Sequence, residues 1–272
     1  MAIAPGVRRP LRSQGYELVC AAGVDLAHLS FGLCRLEPGQ SWCRPSDTEE
    51  VVGVVIRGRV DVAAGGKAWS GLGGRKDVWD GPASAVYAPP GAKLELTATE
   101  GSALVAVIGS PVAPGLAGPE AYAVRPDAVR VQQRGRAPFA RTVHDIVDAG
   151  RPGVRLLVGE TFNAVGNWSS YPPHKHDVHG DDGEVPLEEV YYFRLTPRQG
   201  FGAQFVYTAD GAVDAAWPVH HGDVALLPRG YHPVAAAPGY GLYYLWALAG
   251  AARRLRPHDD PAHTWVHAAG SV

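Results

Sequence analysis

The sequence predicts an all-β protein built twice on one plan, and three observations carry that reading. Gly (34) and Pro (23) punctuate many short Val-rich segments over 272 residues, and helix signals are few. Two motifs recur at one offset: Glu49-Glu50-Val51 lies 139 residues before Glu188-Glu189-Val190, and Pro89 and Gly91 lie the same 139 before Pro228 and Gly230. Between the copies, from Gly115 to Pro138, Pro, Gly and Arg cluster and strand patterning lapses, as in a linker. The expected domains are therefore residues 1–130 and 131–272.

Taken in order, Leu29 to Leu36 alternates like a strand and ends at the turn Glu37-Pro38-Gly39. Glu49 and Glu50 open EVVGVVIRGRVDVAAGG, which reads as two strands about a Gly-containing turn. WDGPASAVYAPPGAKLELTA continues as strand, Pro-Pro-Gly turn and strand, and SALVAVIGSP closes the first half. In the second half VRLLVGETF, EEVYYFRL and FGAQFVYT read as strands, followed by HHGDVALLPRGYHPVAAA and YGLYYLWALAG.

A net charge of -2 and an isoelectric point near 6.6 give no reason to expect nucleic acid or an anionic membrane as partner. No basic helix-turn-helix segment is present, and no apolar run approaches the length that spans a bilayer. Cys20, Cys34 and Cys43 are too few and too clustered for a disulfide framework, and MAIAPGVRRPLRS lacks the apolar stretch of a signal peptide. A reducing cytoplasm is the expected compartment.

The chemistry concentrates in YPPHKHDVHGDDGEVPLEEVYYF, Tyr171 to Phe193. Residues two apart on a strand face the same way, so His174 and His176 aim both imidazoles at one point, which Glu189 on the next strand can approach. GDVALLPRGYHPV adds His232 after a Pro-x-Gly turn. Three His and one Glu suit a divalent metal that keeps a position open for water or substrate. The acidic run from Asp177 to Glu184, including Asp181 and Asp182, reads as a solvated loop, and His179, His220 and His221 as surface or core groups. The first half has Lys93 at the offset of His232 and no histidine in SWCRPSDT, so it is expected to hold no metal.

The order H-x-H, Glu, P-x-G-x-H resembles that of the cupins, small jelly-roll barrels, and its duplication resembles a bicupin. More narrowly, GNWSSYPPHKHD, LEEVYYFRL, GFGAQFVYT, GDVALLPRGYHPV, GYGLYYLWALAG and DPAHTW together resemble the 5-deoxy-glucuronate isomerase family of bacterial inositol catabolism, grouped with the 5-keto-4-deoxyuronate isomerases. The likeness runs along nearly the whole chain and is most specific from Leu156 to Trp265. Two departures stand out: Trp246 where the family pattern leads one to expect Asn, and Gly250-Ala251 in place of Gly-Pro.

The resemblance implies an intramolecular aldose-ketose isomerisation of 5-deoxy-D-glucuronate to 5-dehydro-2-deoxy-D-gluconate. It also implies one zinc-like divalent ion, with manganese or iron as alternatives, held by His174, His176, Glu189 and His232. Negative charge builds on oxygen in such a reaction, and the metal stabilises it while a nearby group moves the proton. Tyr192, Gln204 and Tyr244 are the candidate polar wall groups. Glu188 adjoins a ligand but is expected on the opposite face of its strand. The small uronate-type substrate carries a carboxylate, for which Lys175, Arg194 and Arg229 are the cations nearest in sequence. A non-haem metal oxygenase and a non-catalytic sugar-binding cupin are the rival readings, and a homo-oligomer is expected.

Overall fold

The computed structural model describes residues 3–45, 48–181 and 183–268; Asp182, placed above in a solvated loop, and Ser46 and Asp47 of SWCRPSDT lie outside them. Among the described residues there is no α-helix, only 3-10 turns at Val78–Asp80, Pro126–Ala128 and Thr264–His267, and so no helix able to cross a membrane. The chain forms two compact units that differ from a single cut at residue 130. The first comprises Pro10–Arg130 with Asp145–Val158; the second comprises the residues through Arg9, Val131–His144 and Gly159 onward.

The first unit is organised on two long strands, Glu49–Ala64 and Leu94–Pro111, paired antiparallel over most of their length. Each was expected as two strands and is one bent strand instead. The pairing register shifts between Val55 and Val60, where Gly58 takes φ 83° and a Cβ would lie 2.5 Å from the Ser102 carbonyl oxygen. A bulge at glycine turns the strand without ending its ladder, which periodicity cannot distinguish from a hairpin turn. Ser30–Leu36 and Gly15–Cys20 continue the sheet on one side, Ser84–Ala88 and Tyr122–Val124 on the other. Val51, Val55, Leu94, Leu96, Val105 and Val107 fill its interior with apolar side chains.

The ladder corrects the sequence register. Val51 pairs with Ala88 and Gly109, whereas Glu189 pairs with Leu227 and Leu248. Ala88 to Leu227 and Gly109 to Leu248 are each 139 residues, but Val51 to Glu189 is 138, so the counterpart of Glu189 is Val51 and not Glu50. A one-residue slip sends a side chain to the other face. Glu50 accordingly points away from the apolar interior, fully buried, and accepts hydrogen bonds from Tyr87 Oη (2.7 Å) and from the backbone N–H groups of Val154 (2.8 Å), Arg155 and Leu156 (2.7 Å). Lys93, at the offset of His232, is exposed and paired with Glu95. The first unit thus presents an apolar valine where the second presents a carboxylate.

The second unit is a sandwich of two sheets. The larger runs in the order Gly6–Arg8, Val224–Leu227, Leu187–Thr196, Gly241–Gly250, Leu157–Asn163, Arg141–Val147, Arg130–Arg134. The smaller runs Trp168–Ser169, Val234–Ala236, Phe201–Tyr207, Asp214–His220. Gly202 of the smaller sheet lies so close to Leu242 of the larger that a Cβ would sit 2.6 Å from Leu242 Cδ1. The N-terminal strand is pinned where Arg9 meets Asp223, Nε to Oδ1 at 2.9 Å. A third, short ladder pairs His174–Lys175 with His258–Asp259, setting His174 opposite Asp259.

Candidate metal centre

Alternation along Leu187–Thr196 decides what faces the interior of the second unit. Glu189, Tyr191 and Phe193 turn inward, where Tyr191 meets His232 edge-on at 6.1 Å and Phe193 meets Tyr244 at 6.0 Å. Glu188, Tyr192 and Arg194 take the opposite face, Arg194 donating to Tyr192 Oη at 3.4 Å. Glu188 is where alternation places it, whereas Tyr192, assigned above to the polar wall, and Arg194, a candidate cation for the substrate carboxylate, share that outer face.

His174, His176 and His232 converge, with one ligand atom from each lying within 4.8 Å of the others. His176 and His232 are buried. Each commits its Nδ1 to a backbone carbonyl, His176 to Leu187 O at 2.9 Å and His232 to Gly230 O at 2.8 Å. In the neutral ring that fixes the proton on Nδ1 and leaves the Nε2 lone pair pointing inward, as in histidines that bind metal. Both Nε2 atoms face Glu189 Oε2, at 3.3 Å from His176 and 3.2 Å from His232. The second of these contacts is too poorly aligned to be a hydrogen bond and leaves a buried nitrogen without a partner. Acceptors gathered around a carboxylate with too few protons between them are what a divalent cation satisfies.

The electrostatics agree. Burial, with the neighbouring His232 and His176, pushes the His174 imidazole well below its ordinary pKa, keeping it neutral. Burial acts to raise the Glu189 carboxyl, but His176 and His232 outweigh it and hold it at about 2. Burial also opposes charge on His176, yet Glu189 draws its pKa upward, and a cation at Nε2 would compete with a proton for that lone pair.

Beside the cluster stand two tyrosine–serine pairs that the sequence reading resolved only in part. Tyr244 faces inward and lies 2.5 Å from Ser169 Oγ, and Tyr191, 4.2 Å from it ring to ring, lies 3.0 Å from Ser170 Oγ. Ser170 sits at φ 50°, a backbone conformation strained for a residue with a side chain and a frequent mark of functional sites. Counting two residues on from Glu189 would have picked Tyr191 instead of Tyr192. Gln204 is fully buried, and its Nε2 donates to His232 O at 3.1 Å and Pro233 O at 3.3 Å, so it holds the backbone of His232. Trp246 lies across Gly159, where a Cβ would come 2.2 Å from Cζ2; the glycine makes room for the large ring at this unexpected position.

The cations proposed for the substrate carboxylate are engaged elsewhere. Lys175 Nζ is clamped by Asp177 Oδ1 at 2.7 Å and Glu184 Oε1 at 2.8 Å, which also gives the acidic loop a structural task. Arg229 is part-exposed, 3.4 Å from Asp210. A cation missed in the sequence is Arg141, whose Nη1 reaches the carbonyls of Phe139 and Tyr171; no motif marks it. A cavity of about 410 Å³ lies in the first unit, lined by Arg75 and Pro126 among others, and none of the four ligand residues lines it.

The sequence model of the KduI/IolB family matches residues 10–266. A 5-deoxy-glucuronate isomerase of Geobacillus kaustophilus is 39% identical over 91% of this chain and 89% of its own. The enzyme of that name from Bacillus subtilis is 35% identical over 93% and 94%. The solved structure of an IolB-like protein from Salmonella typhimurium superposes with a TM-score of 0.90, at 32% identity, over 96% of this chain and 98% of that one. Oxalate decarboxylase of Lactobacillus farciminis, at 12% identity and a TM-score of 0.63 over 98% and 88%, shares only the cupin fold. With the family pattern spanning nearly the whole chain, this protein belongs to the KduI/IolB family.

Proposed function

We propose that the protein is a metal-dependent aldose-ketose isomerase converting 5-deoxy-D-glucuronate to 5-dehydro-2-deoxy-D-gluconate in myo-inositol catabolism. The observation that carries the proposal is the convergence of three imidazoles on Glu189 in a chain whose relatives bear that isomerase's name. His174, His176, Glu189 and His232 would hold the ion, zinc in our reading, with manganese or iron as alternatives; a bacterial oxalate decarboxylase of this fold has Mn(II) centres. A divalent ion bound there supplies Lewis acidity to the carbonyl and neighbouring hydroxyl oxygens of an open-chain sugar.

The protein's own groups do the rest. Isomerisation moves one hydrogen from the carbon beside the aldehyde to the aldehyde carbon, so electrons stay within one substrate and no nicotinamide or flavin is needed. Charge that develops on the sugar oxygens needs hydrogen-bond donors fixed in advance. Tyr191 and Tyr244 supply phenolic hydroxyls on the inner wall, oriented by Ser170 and Ser169. Burial and the Glu189 charge push the Tyr191 phenol well above its ordinary pKa, which keeps its proton in place as a donor. Gln204 holds the His232 backbone, and the Trp246 ring packs over Gly159. The partner is a small uronate, with neither nucleic acid nor membrane, in a cytoplasmic homo-oligomer; Cys20, Cys34 and Cys43 form no disulfide, which fits a reducing compartment.

Carbon NMR tests the proposal. Metal-replete protein should convert the aldehyde of 5-deoxy-D-glucuronate to a ketone without oxygen or added nicotinamide, and chelation should stop it. His232→Ala or Glu189→Gln should lose metal and activity together with an unchanged far-UV circular dichroism spectrum. An intact aldehyde at full metal occupancy would refute the isomerase, and turnover only in oxygen would favour an oxygenase.

A further inference from the structure

We infer that Arg141 and Asn163 form the subsite for the carboxylate end of the substrate. This deepens the isomerase reading and rests on it for the identity of the ligand. A uronate brings a negative group that a sugar-isomerising metal site does not by itself accommodate, so the pocket needs a cation whose charge is not already compensated. Lys175 is paired with Asp177 and Glu184, Arg229 with Asp210, and Arg194 takes the outer face with Tyr192.

Arg141 differs from all three. It opens the strand Arg141–Val147, and its guanidinium donates only to neutral carbonyls, Phe139 O at 3.3 Å and Tyr171 O at 3.5 Å, with no carboxylate partner among the described residues. Tyr171 lies three residues before His174, so its contact with Arg141 brings the guanidinium to the segment that carries that imidazole. The guanidinium fork retains donors that match a carboxylate in two-point geometry.

Asn163 is the second, independent observation. It is 2% exposed, yet neither its Oδ1 nor its Nδ2 has a hydrogen-bond partner. A buried amide left unpaired on both atoms is rare enough to call for an explanation. It lines, with Arg141 and Thr142, a cavity of about 230 Å³. A carboxylate there would accept from Arg141 and from Nδ2, while Oδ1 would take a sugar hydroxyl.

The test compares holoenzyme with its Arg141→Gln, Arg141→Lys and Asn163→Asp variants on 5-deoxy-D-glucuronate and on 5-deoxy-D-glucose, which carries a hydroxymethyl group in place of the carboxylate. Losing a charge-assisted contact should raise KM for the uronate about 10- to 100-fold in Arg141→Gln, with little change in kcat, in metal content or in kcat/KM for the neutral sugar. Arg141→Lys should recover part of the loss, and Asn163→Asp should weaken the uronate through like-charge repulsion. Equal losses on both sugars, or loss of metal, would make Arg141 a staple of the Phe139 and Tyr171 carbonyls and overturn the inference. Calorimetric binding of D-glucuronate separates the two readings. If the wild type turns over neither sugar but binds D-glucuronate in an Arg141-dependent way, the subsite stands and the isomerase falls. Binding unaffected by Arg141→Gln would sink the subsite whatever the activity.

Discussion

Replacing Glu50 by alanine should cost the protein stability and leave any metal held at the histidine cluster untouched. Oε2 accepts from Tyr87 Oη and Val154 N, and Oε1 from Arg155 N and Leu156 N. Val154 and Arg155 are only partly buried, so water can replace the carboxylate at those two groups, whereas Tyr87 and Leu156 are fully enclosed. With about 1–3 kcal/mol for each buried donor left unsatisfied and less for the wet pair, the total comes to roughly 3–5 kcal/mol. For a chain of this size that corresponds to a fall in Tm of roughly 6–20 °C. Glu50→Gln should cost about half as much, because Oε1 keeps its two donors and the Tyr87 hydroxyl can turn to accept from the new amide. Scanning calorimetry reads the stability and elemental analysis of the same samples reads the metal. A Tm unchanged in Glu50→Ala, or metal lost in step with it, would refute the assignment of Glu50 as a backbone clamp and restore it as the counterpart of Glu189.

Two further outcomes are expected. Gly159→Ala would place a methyl 2.2 Å from Trp246 Cζ2 and 2.5 Å from His144 O, an overpacking worth about 1–3 kcal/mol; adding Trp246→Leu should recover only part of it, since the backbone contact remains, and additive losses in thermal unfolding would argue against the clash. Burial acts to raise the Asp260 carboxyl, but the Tyr207 hydroxyl (2.6 Å) and Ala262 N–H outweigh it and hold it below its ordinary 3.8. Its hold on the segment facing His174 should therefore be complete above about pH 4 and be lost as pH falls through the lowered value. Tyr207→Phe should move the Asp260 titration upward toward the ordinary carboxylate value in carbon NMR; an unmoved titration would mean the hydroxyl plays no part.

The sequence by itself determined the all-β class, the doubling and the side chains that gather as the candidate ligand cluster. These are local matters: turn residues, two-residue alternation and the H-x-H spacing are written into neighbouring positions. Tertiary structure decided which carboxylate matches which. Glu49-Glu50 and Glu188-Glu189 look equivalent as text, but the bent first-unit strand pairs one residue out of step, so Val51 stands where Glu189 does and Glu50 turns to cap a loop about a hundred residues away. It also decided which cations are free to act. Lys175 sits between the two histidines in sequence, yet the loop it opens returns Glu184 to neutralise it, while Arg141, thirty residues before Tyr171, arrives at that residue's carbonyl through a neighbouring strand. Charge compensation depends on which groups the fold brings within a few ångströms, and proximity along the chain carries no information about that.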